Sequence, residues 1–144
     1  MEEGLLLPEP DEDSAPFWEG TRAGELRMQA CAACGRLRFP PRPMCPHCHS
    51  LESAWRPVSG RGTVWSFVVP HPPLLPAYSR LAPYNVVVVA LEEDPTLRLV
   101  GNLVASAGGE PNQVDPATIK IGMPVRVVFC PVAEDVVLPR WVRA

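Results

Sequence analysis

The sequence predicts a mainly β protein in which a small metal-bound ribbon precedes a five-stranded barrel. Two CxxC pairs, at residues 31–34 and 45–48, are separated by ten residues and indicate the ribbon. Five apolar or alternating runs follow, and a helical turn is expected at 115–118, between the third and fourth of them. This order is typical of the OB-fold; a different small barrel or an open sandwich is the all-β alternative.

Composition divides the chain into three predicted segments. We predict an acidic disordered leader or linker over 1–14, an N-terminal helix and zinc ribbon over 15–58, and the OB-fold over 59–144. The first 13 residues hold six acidic side chains and no basic one, which is typical of a solvated tail. The 19 prolines argue against long helices because each removes a backbone donor.

The first structured element is expected to be a short helix over residues 15–24. Ser14 is a suitable N-cap and Pro16 suits the first turn. Phe17 and Trp18 are large apolar side chains on a helix that is too short to be stable alone. They are therefore expected to pack on another surface, for which the protein's own core is favoured over a partner protein.

The two CxxC turns supply the ligands of a predicted structural zinc ion: Cys31, Cys34, Cys45 and Cys48. Four thiolates form the closed tetrahedral set that structural zinc prefers, and they leave no open position for catalysis. Iron fits the same ligands. Disulfides are disfavoured because the acidic N-terminus has no signal-peptide start. His47 and His49 flank the last ligand and are expected to be exposed neighbours rather than ligands.

The ribbon is predicted to have three strands, within residues 25–30, 37–39 and 53–58. Such a small unit buries little surface, so the metal is expected to supply much of its folding energy. The five predicted barrel strands are 62–69, 84–91, 97–104, 125–129 and 136–141. Residues 71–83 are expected to form a long proline-rich loop with apolar side chains, and loops of this kind are usually functional.

No catalytic motif is evident. The sequence has no GxSxG, P-loop or GxGxxG pattern. His71 is the one histidine outside the ribbon, and an enzyme in which it meets Asp115 is a minor alternative. No run of about 18 apolar residues indicates a membrane span, and we expect a cytoplasmic protein.

A nucleic-acid-binding module is the main alternative, since zinc ribbons and OB-folds both occur in such proteins. The barrel segment, however, has seven basic residues opposed by seven acidic ones. The isoelectric point is about 5.6, whereas nucleic-acid-binding domains are usually basic. Nucleic acid is therefore not the favoured ligand.

Several short motifs, in their order, resemble a family of acyl-CoA-associated proteins that combine a rubredoxin-like zinc ribbon with an OB-fold. The resemblance covers about residues 15–141. The motifs are FWE at 17–19, GEL at 24–26, the doubled CxxC, SGRGTV at 59–64, PY at 83–84 and IGMPV at 121–125.

The resemblance implies a non-catalytic accessory subunit. Family members partner thiolase-fold enzymes, including acetoacetyl-CoA thiolases and the lipid-transfer-protein-like aldolase of steroid side-chain degradation. The resemblance also implies that the chain stabilises such an enzyme and helps form its acyl-CoA channel, with acyl-CoA as the ligand of the complex. In the steroid system the similar domain follows a hot-dog hydratase domain, so this chain is expected to be a free-standing subunit or an excised domain.

Chemistry and position, rather than a family motif, nominate the contacts with CoA or a partner. Arginines bind phosphates well, and apolar side chains can face an acyl or steroid group. For the arginines, simple solvation is the alternative. The candidates are Phe17, Trp18, Arg36, Arg38, Arg42, His71, Leu74, Leu75, Tyr78 and Leu81.

Overall fold

The computed structural model describes residues 4–144, which form two antiparallel sheets and two short helices. The helices are α1 (Ala15–Arg22) and α2 (Pro76–Leu81). The strands are β1 (Arg27–Cys31), β2 (Leu37–Arg38), β3 (Ser53–Pro57), β4 (Arg61–Val68), β5 (Val86–Leu91), β6 (Arg98–Gly101), β7 (Pro124–Ala133) and β8 (Val136–Arg143). The first three residues of the predicted leader lie outside the described residues, and its division from the ribbon stays a prediction.

The ribbon sheet has the strand order β2-β1-β3, as three antiparallel strands around the two CxxC turns. Its central strand is almost completely buried, and Met28 has no exposed surface. Gln29, on the other face, is also buried, and its side-chain carbonyl accepts a 2.8 Å hydrogen bond from the backbone N–H of Arg42. This bond ties the proline-rich segment after β2 to the centre of the ribbon.

The barrel sheet has the order β6-β5-β4-β7-β8, and its two edge strands approach each other. A parallel bridge between Leu103 and Trp141 closes it, with Trp141 N–H donating to the Asn102 carbonyl at 3.0 Å. A 3₁₀ turn at Pro116–Thr118 lies between the third and fourth barrel strands, as predicted. The expected zinc ribbon and OB-fold order is therefore confirmed.

One hydrophobic core connects the ribbon with the barrel. Helix α1 packs against β1 and β8, and Phe17 belongs to the same buried cluster as Met28 and Trp141. The ring of Phe17 also lies 4.9 Å from that of Trp18 and 5.7 Å from that of Phe39. The helix therefore joins the two sheets.

Two glycines at the start of β4 have no room for a side chain. Gly60 has a left-handed φ of 76°, and a side chain there would overlap a methyl group of Val127. A side chain at Gly62 would overlap the carbonyl oxygen of Ala90 on the neighbouring strand. The close approach of β4 to β5 and β7 thus requires glycine at both positions.

The proline-rich loop is less irregular than expected, and the prediction of a continuous loop over 71–83 is wrong at α2. Pro76 occupies the first turn of this helix, where its missing N–H is not needed.

Strand β6 ends at Gly101, earlier than predicted, while β7 continues to Ala133, later than predicted. Neither helix found in residues 4–144 has the length and hydrophobicity that crossing a bilayer requires.

Candidate metal centre and ligand surfaces

The four predicted zinc ligands converge on one point. Their sulfur atoms all lie within 4.8 Å of one another. Cys31 Sγ is 3.4 Å from Cys48 Sγ, and Cys34 Sγ is 3.7 Å from Cys45 Sγ. A tetrahedral zinc ion with Zn–S bonds of about 2.3 Å places its sulfurs about 3.8 Å apart. The arrangement therefore fits one structural zinc ion.

Both CxxC turns have the same backbone design. The residue after each turn, Gly35 or His49, has a left-handed φ, of 76° and 63° respectively. The N–H of each donates back to the carbonyl of the first cysteine, Cys31 or Cys45, at 2.9 and 3.0 Å. The side chain of His47 contacts an arginine, as described below, so the expectation that it is not a ligand agrees with the geometry.

Backbone hydrogen bonds favour the thiolate form of two of the four cysteines, Cys31 and Cys45. The backbone N–H of Cys34 lowers the pKa of the Cys31 thiol to about 6, and that of Cys48 lowers the pKa of Cys45. The N–H of Ser50 also favours the Cys48 thiolate, but the adjacent sulfurs outweigh it and raise the pKa of Cys48 to about 11. A divalent cation would remove this repulsion between sulfurs and displace the retained proton.

An apolar groove of about 510 Å³ runs between α1, α2 and the two edge strands of the barrel. Four of the sequence-predicted contact residues line it: Phe17, Trp18, Tyr78 and Leu81. The leader also contributes, since Leu5 and Leu6 line the groove and Leu6 N–H donates to Tyr78 Oη at 3.0 Å. The predicted helix and the proline-rich segment therefore meet at one surface.

A second cavity, of about 450 Å³, separates the ribbon from the turn between β5 and β6, and we call it the junction cleft. The three predicted arginines, Arg36, Arg38 and Arg42, line its ribbon side. Asp94 and Thr96 line the barrel side. The two groups of candidate residues, apolar and cationic, thus occupy different surfaces.

The remaining candidates line neither cavity. His71 and Leu75 are exposed, and Leu74 is half-buried with its carbonyl bonded to Ser79 Oγ at 3.0 Å. Asp115, the proposed partner of His71 in an enzyme, accepts instead from the N–H of Ala117 at 3.0 Å. Among residues 4–144 no hydrogen bond joins His71 to Asp115.

Sequence reasoning missed an apolar surface on the outside of the barrel, which we call the outer face. A β-bulge between Val64 and Ser66 turns Trp65 outward, where 50% of it is exposed. Val68 and Val100 lie on the same side of the sheet and are 60% and 69% exposed. The guanidinium of Arg98 stacks 3.8 Å above the Trp65 ring. No sequence signal marks the bulge.

Family models match most of the chain. A model described as the ChsH2 rubredoxin-like zinc ribbon domain matches residues 18–53. A model described as the ChsH2 C-terminal OB-fold domain matches residues 55–130.

Individual proteins are similar over nearly the same region. A 3-oxo-4,17-pregnadiene-20-carboxyl-CoA hydratase alpha subunit from Mycobacterium tuberculosis is 39% identical over 88% of this chain. A DUF35 domain-containing scaffold protein from Methanocaldococcus jannaschii is 33% identical over 73% of this chain and 67% of its own length. The chain spans less than two fifths of the length of the curated hydratase subunits that it matches.

A solved structure has the same architecture. A chain of the Ltp2-ChsH2(DUF35) aldolase superposes with a TM-score of 0.81 and 37% identity. The match covers 94% of this chain and 98% of that one.

Proposed function

Because the chain belongs to the ChsH2 family of zinc-ribbon and OB-fold proteins, we propose that it is a non-catalytic accessory subunit of a thiolase-like acyl-CoA enzyme. The match to a chain of an aldolase over 98% of that chain carries the proposal. The name of the M. tuberculosis relative supports steroid side-chain degradation as the setting. We propose a cytoplasmic complex with a thiolase-fold enzyme, an aldolase or thiolase, as its catalytic subunit.

The surfaces of the chain suit an acyl-CoA ligand of that complex. An acyl-CoA thioester combines phosphates with an apolar group, and the chain offers a cationic cleft and a separate apolar groove. We propose that Trp18, Tyr78 and Leu81 help form the acyl channel. The exposed side chains of His71 and Leu75, with Leu74, are proposed to contact the enzyme, and the four-cysteine zinc ion is structural.

A hot-dog hydratase domain is a further proposed partner. The matching hydratase subunits are more than twice as long as the region that they share with this chain. The additional length of those proteins leaves room for a second domain, which supports this proposal. For this chain, such a partner would have to come from another subunit or another part of a longer protein.

The outer face is the proposed contact with the thiolase-fold subunit. Val100 lies opposite Val88, which lies opposite Ser66, so exposed Val100 and half-buried Val88 and Ser66 form one surface across three strands. Adjacent exposed large apolar residues are typical of protein interfaces. Tryptophan and arginine, which stack here as Trp65 and Arg98, are both residue types enriched at binding hot spots.

Val68→Glu is expected to weaken the complex at least about tenfold, because Val68 lies on the outer face, lines neither cavity, and the change places a charge in a desolvated apolar contact. Binding of each variant to the thiolase-fold enzyme captured with the tagged chain can be measured by biolayer interferometry. Leu51→Glu is the matched control, since Leu51 is 69% exposed but lies before β3 in the ribbon, away from this face. Equal affinities of the two variants would contradict this docking surface, provided that both melt like the wild type.

A further inference from the structure

A buried arginine marks the inner wall of the junction cleft. Arg38 is only 3% exposed, and its Nε and Nη2 both donate to the carbonyl of Arg42, at 3.3 and 3.0 Å. Its Nη1 has no hydrogen-bond partner among residues 4–144. The ion pair recorded in the same residues joins Arg27 to Glu25, so no carboxylate is paired with Arg38. A buried guanidinium normally has both an acceptor and a counter-charge.

Two further cations surround the same cleft. Arg36 is exposed, and its Nη1 lies 2.8 Å from His47 Nδ1. Arg42 is exposed as well, while its backbone is held in place by the buried Gln29. Within the part of the chain that the structure describes, Asp94 is the one carboxylate that lines the cleft, and its Oδ1 already accepts from the N–H and hydroxyl of Thr96 at 3.0 and 2.7 Å. The positive charge is therefore in excess.

The recorded hydrogen bonds of these arginines do not go to the zinc-binding sulfurs. Within the first CxxC turn, the backbone N–H of Cys34 donates to Cys31 Sγ at 3.4 Å. Arg56, on β3, donates to the carbonyl of Gly35 at 2.6 Å. The recorded hydrogen bonds of Arg38 go to Arg42, so its remaining N–H groups are not used by the thiolates.

We infer that the junction cleft binds the phosphates of a nucleotide. A phosphate offers several anionic acceptors, and guanidinium groups bind it with charge-assisted hydrogen bonds. The volume of about 450 Å³ exceeds the needs of one phosphate, and Leu37 and Phe39 add an apolar wall against which a nucleobase can pack. The identity of the nucleotide rests on the proposed function: it is the phosphorylated end of the acyl-CoA. The apolar groove is then available for the acyl end.

The test titrates the full-length chain with adenosine 3′,5′-bisphosphate at low salt by isothermal titration calorimetry. Arg36→Gln and Arg42→Gln are each expected to weaken binding about tenfold, since each removes a charge-assisted contact. Arg22→Gln is the control, because Arg22 is exposed at the end of α1 and does not line the cleft. Zinc content and melting temperature are expected to be unchanged in all three variants.

Arg38 needs a separate readout because its replacement can disturb the segment that it anchors. In the wild-type protein, the Nε–Hε resonance of Arg38 is expected to shift during the titration while that of Arg22 does not. Arginine side-chain NMR therefore reports on the buried group without a mutation.

The possible outcomes distinguish a failure of the proposed binding site from a failure of the proposed function. The proposed site is overturned if no binding of the bisphosphate is detected up to about 10 mM, because any weaker binding would have a negligible free energy. Equal weakening by Arg22→Gln also overturns it. Tighter, strongly salt-dependent binding of an oligothymidylate overturns the small-nucleotide ligand in favour of nucleic acid. Bisphosphate binding by a chain that captures no thiolase-fold enzyme supports the site but removes CoA as the source of the phosphate.

Discussion

Cys45→Ser is expected to remove zinc from the chain and to unfold the ribbon. Cys45 is 1% exposed, and its sulfur is one of four that would surround the ion. Serine cannot supply a thiolate, and in small metal-bound units the free energy of metal binding provides most of the folding energy. We expect well under one zinc per chain by elemental analysis, loss of the ribbon's NMR signals, and aggregation.

Cys130→Ser is the matched control for this experiment. Cys130 is also buried, at 3% exposure, but it lies on β7 and its thiol donates to the carbonyl of Ala107 at 2.9 Å. A serine hydroxyl can keep that hydrogen bond, so this variant should retain one zinc per chain. Full zinc occupancy in Cys45→Ser, or neither zinc nor iron in fresh wild-type protein, would show that the four-cysteine site is not a metal centre.

Asn85→Leu is expected to destabilise the barrel by about 3–6 kcal/mol, because it leaves three buried backbone groups without partners. Asn85 is completely buried. Its Nδ2 donates to the carbonyls of Leu103 and Pro111 at 2.8 and 3.1 Å, and its Oδ1 accepts from Leu103 N–H at 2.6 Å. This side chain thus fixes the segment after β6 to the start of β5.

Urea unfolding followed by tryptophan fluorescence measures the effect, since Trp141 lies in the barrel core. Asn112→Leu is the control: Asn112 is exposed in a 3₁₀ turn at Pro111–Gln113, and its replacement should change stability by less than about 0.5 kcal/mol. A free energy of unfolding for Asn85→Leu within about 1 kcal/mol of the wild type would mean that the network contributes little.

The metal ligands and the positions of the strands along the chain could be predicted because both are local properties of the sequence. A CxxC pair forms its turn within a few residues, and apolar alternation identifies each strand separately. The outward position of Trp65 could not be predicted, because it depends on how β4 pairs with β5 across the bulge. Helix α2 was missed because prolines were interpreted as breaking structure, whereas Pro76 begins it.

The candidate binding residues show the same limit. Arg36, Arg38 and Arg42 were nominated from chemistry and position, and the structure places all three along one cleft. The burial of Arg38 depends on non-local packing, which a two-residue strand such as β2 does not encode. Asn85 is surrounded by valines and gave no signal, since its partners Leu103 and Pro111 are distant in sequence.

The accessory role is tested most directly by capturing the tagged full-length chain from its source cells and identifying what is bound. Mass spectrometry of the eluate, with its absorbance ratio at about 260 and 280 nm, distinguishes the two main functions. The proposed function predicts a thiolase-fold enzyme in near-stoichiometric amount and no nucleic acid. Recovery of nucleic acid without such an enzyme, or turnover of an acyl-CoA by the isolated chain at an enzyme-like rate, would contradict it.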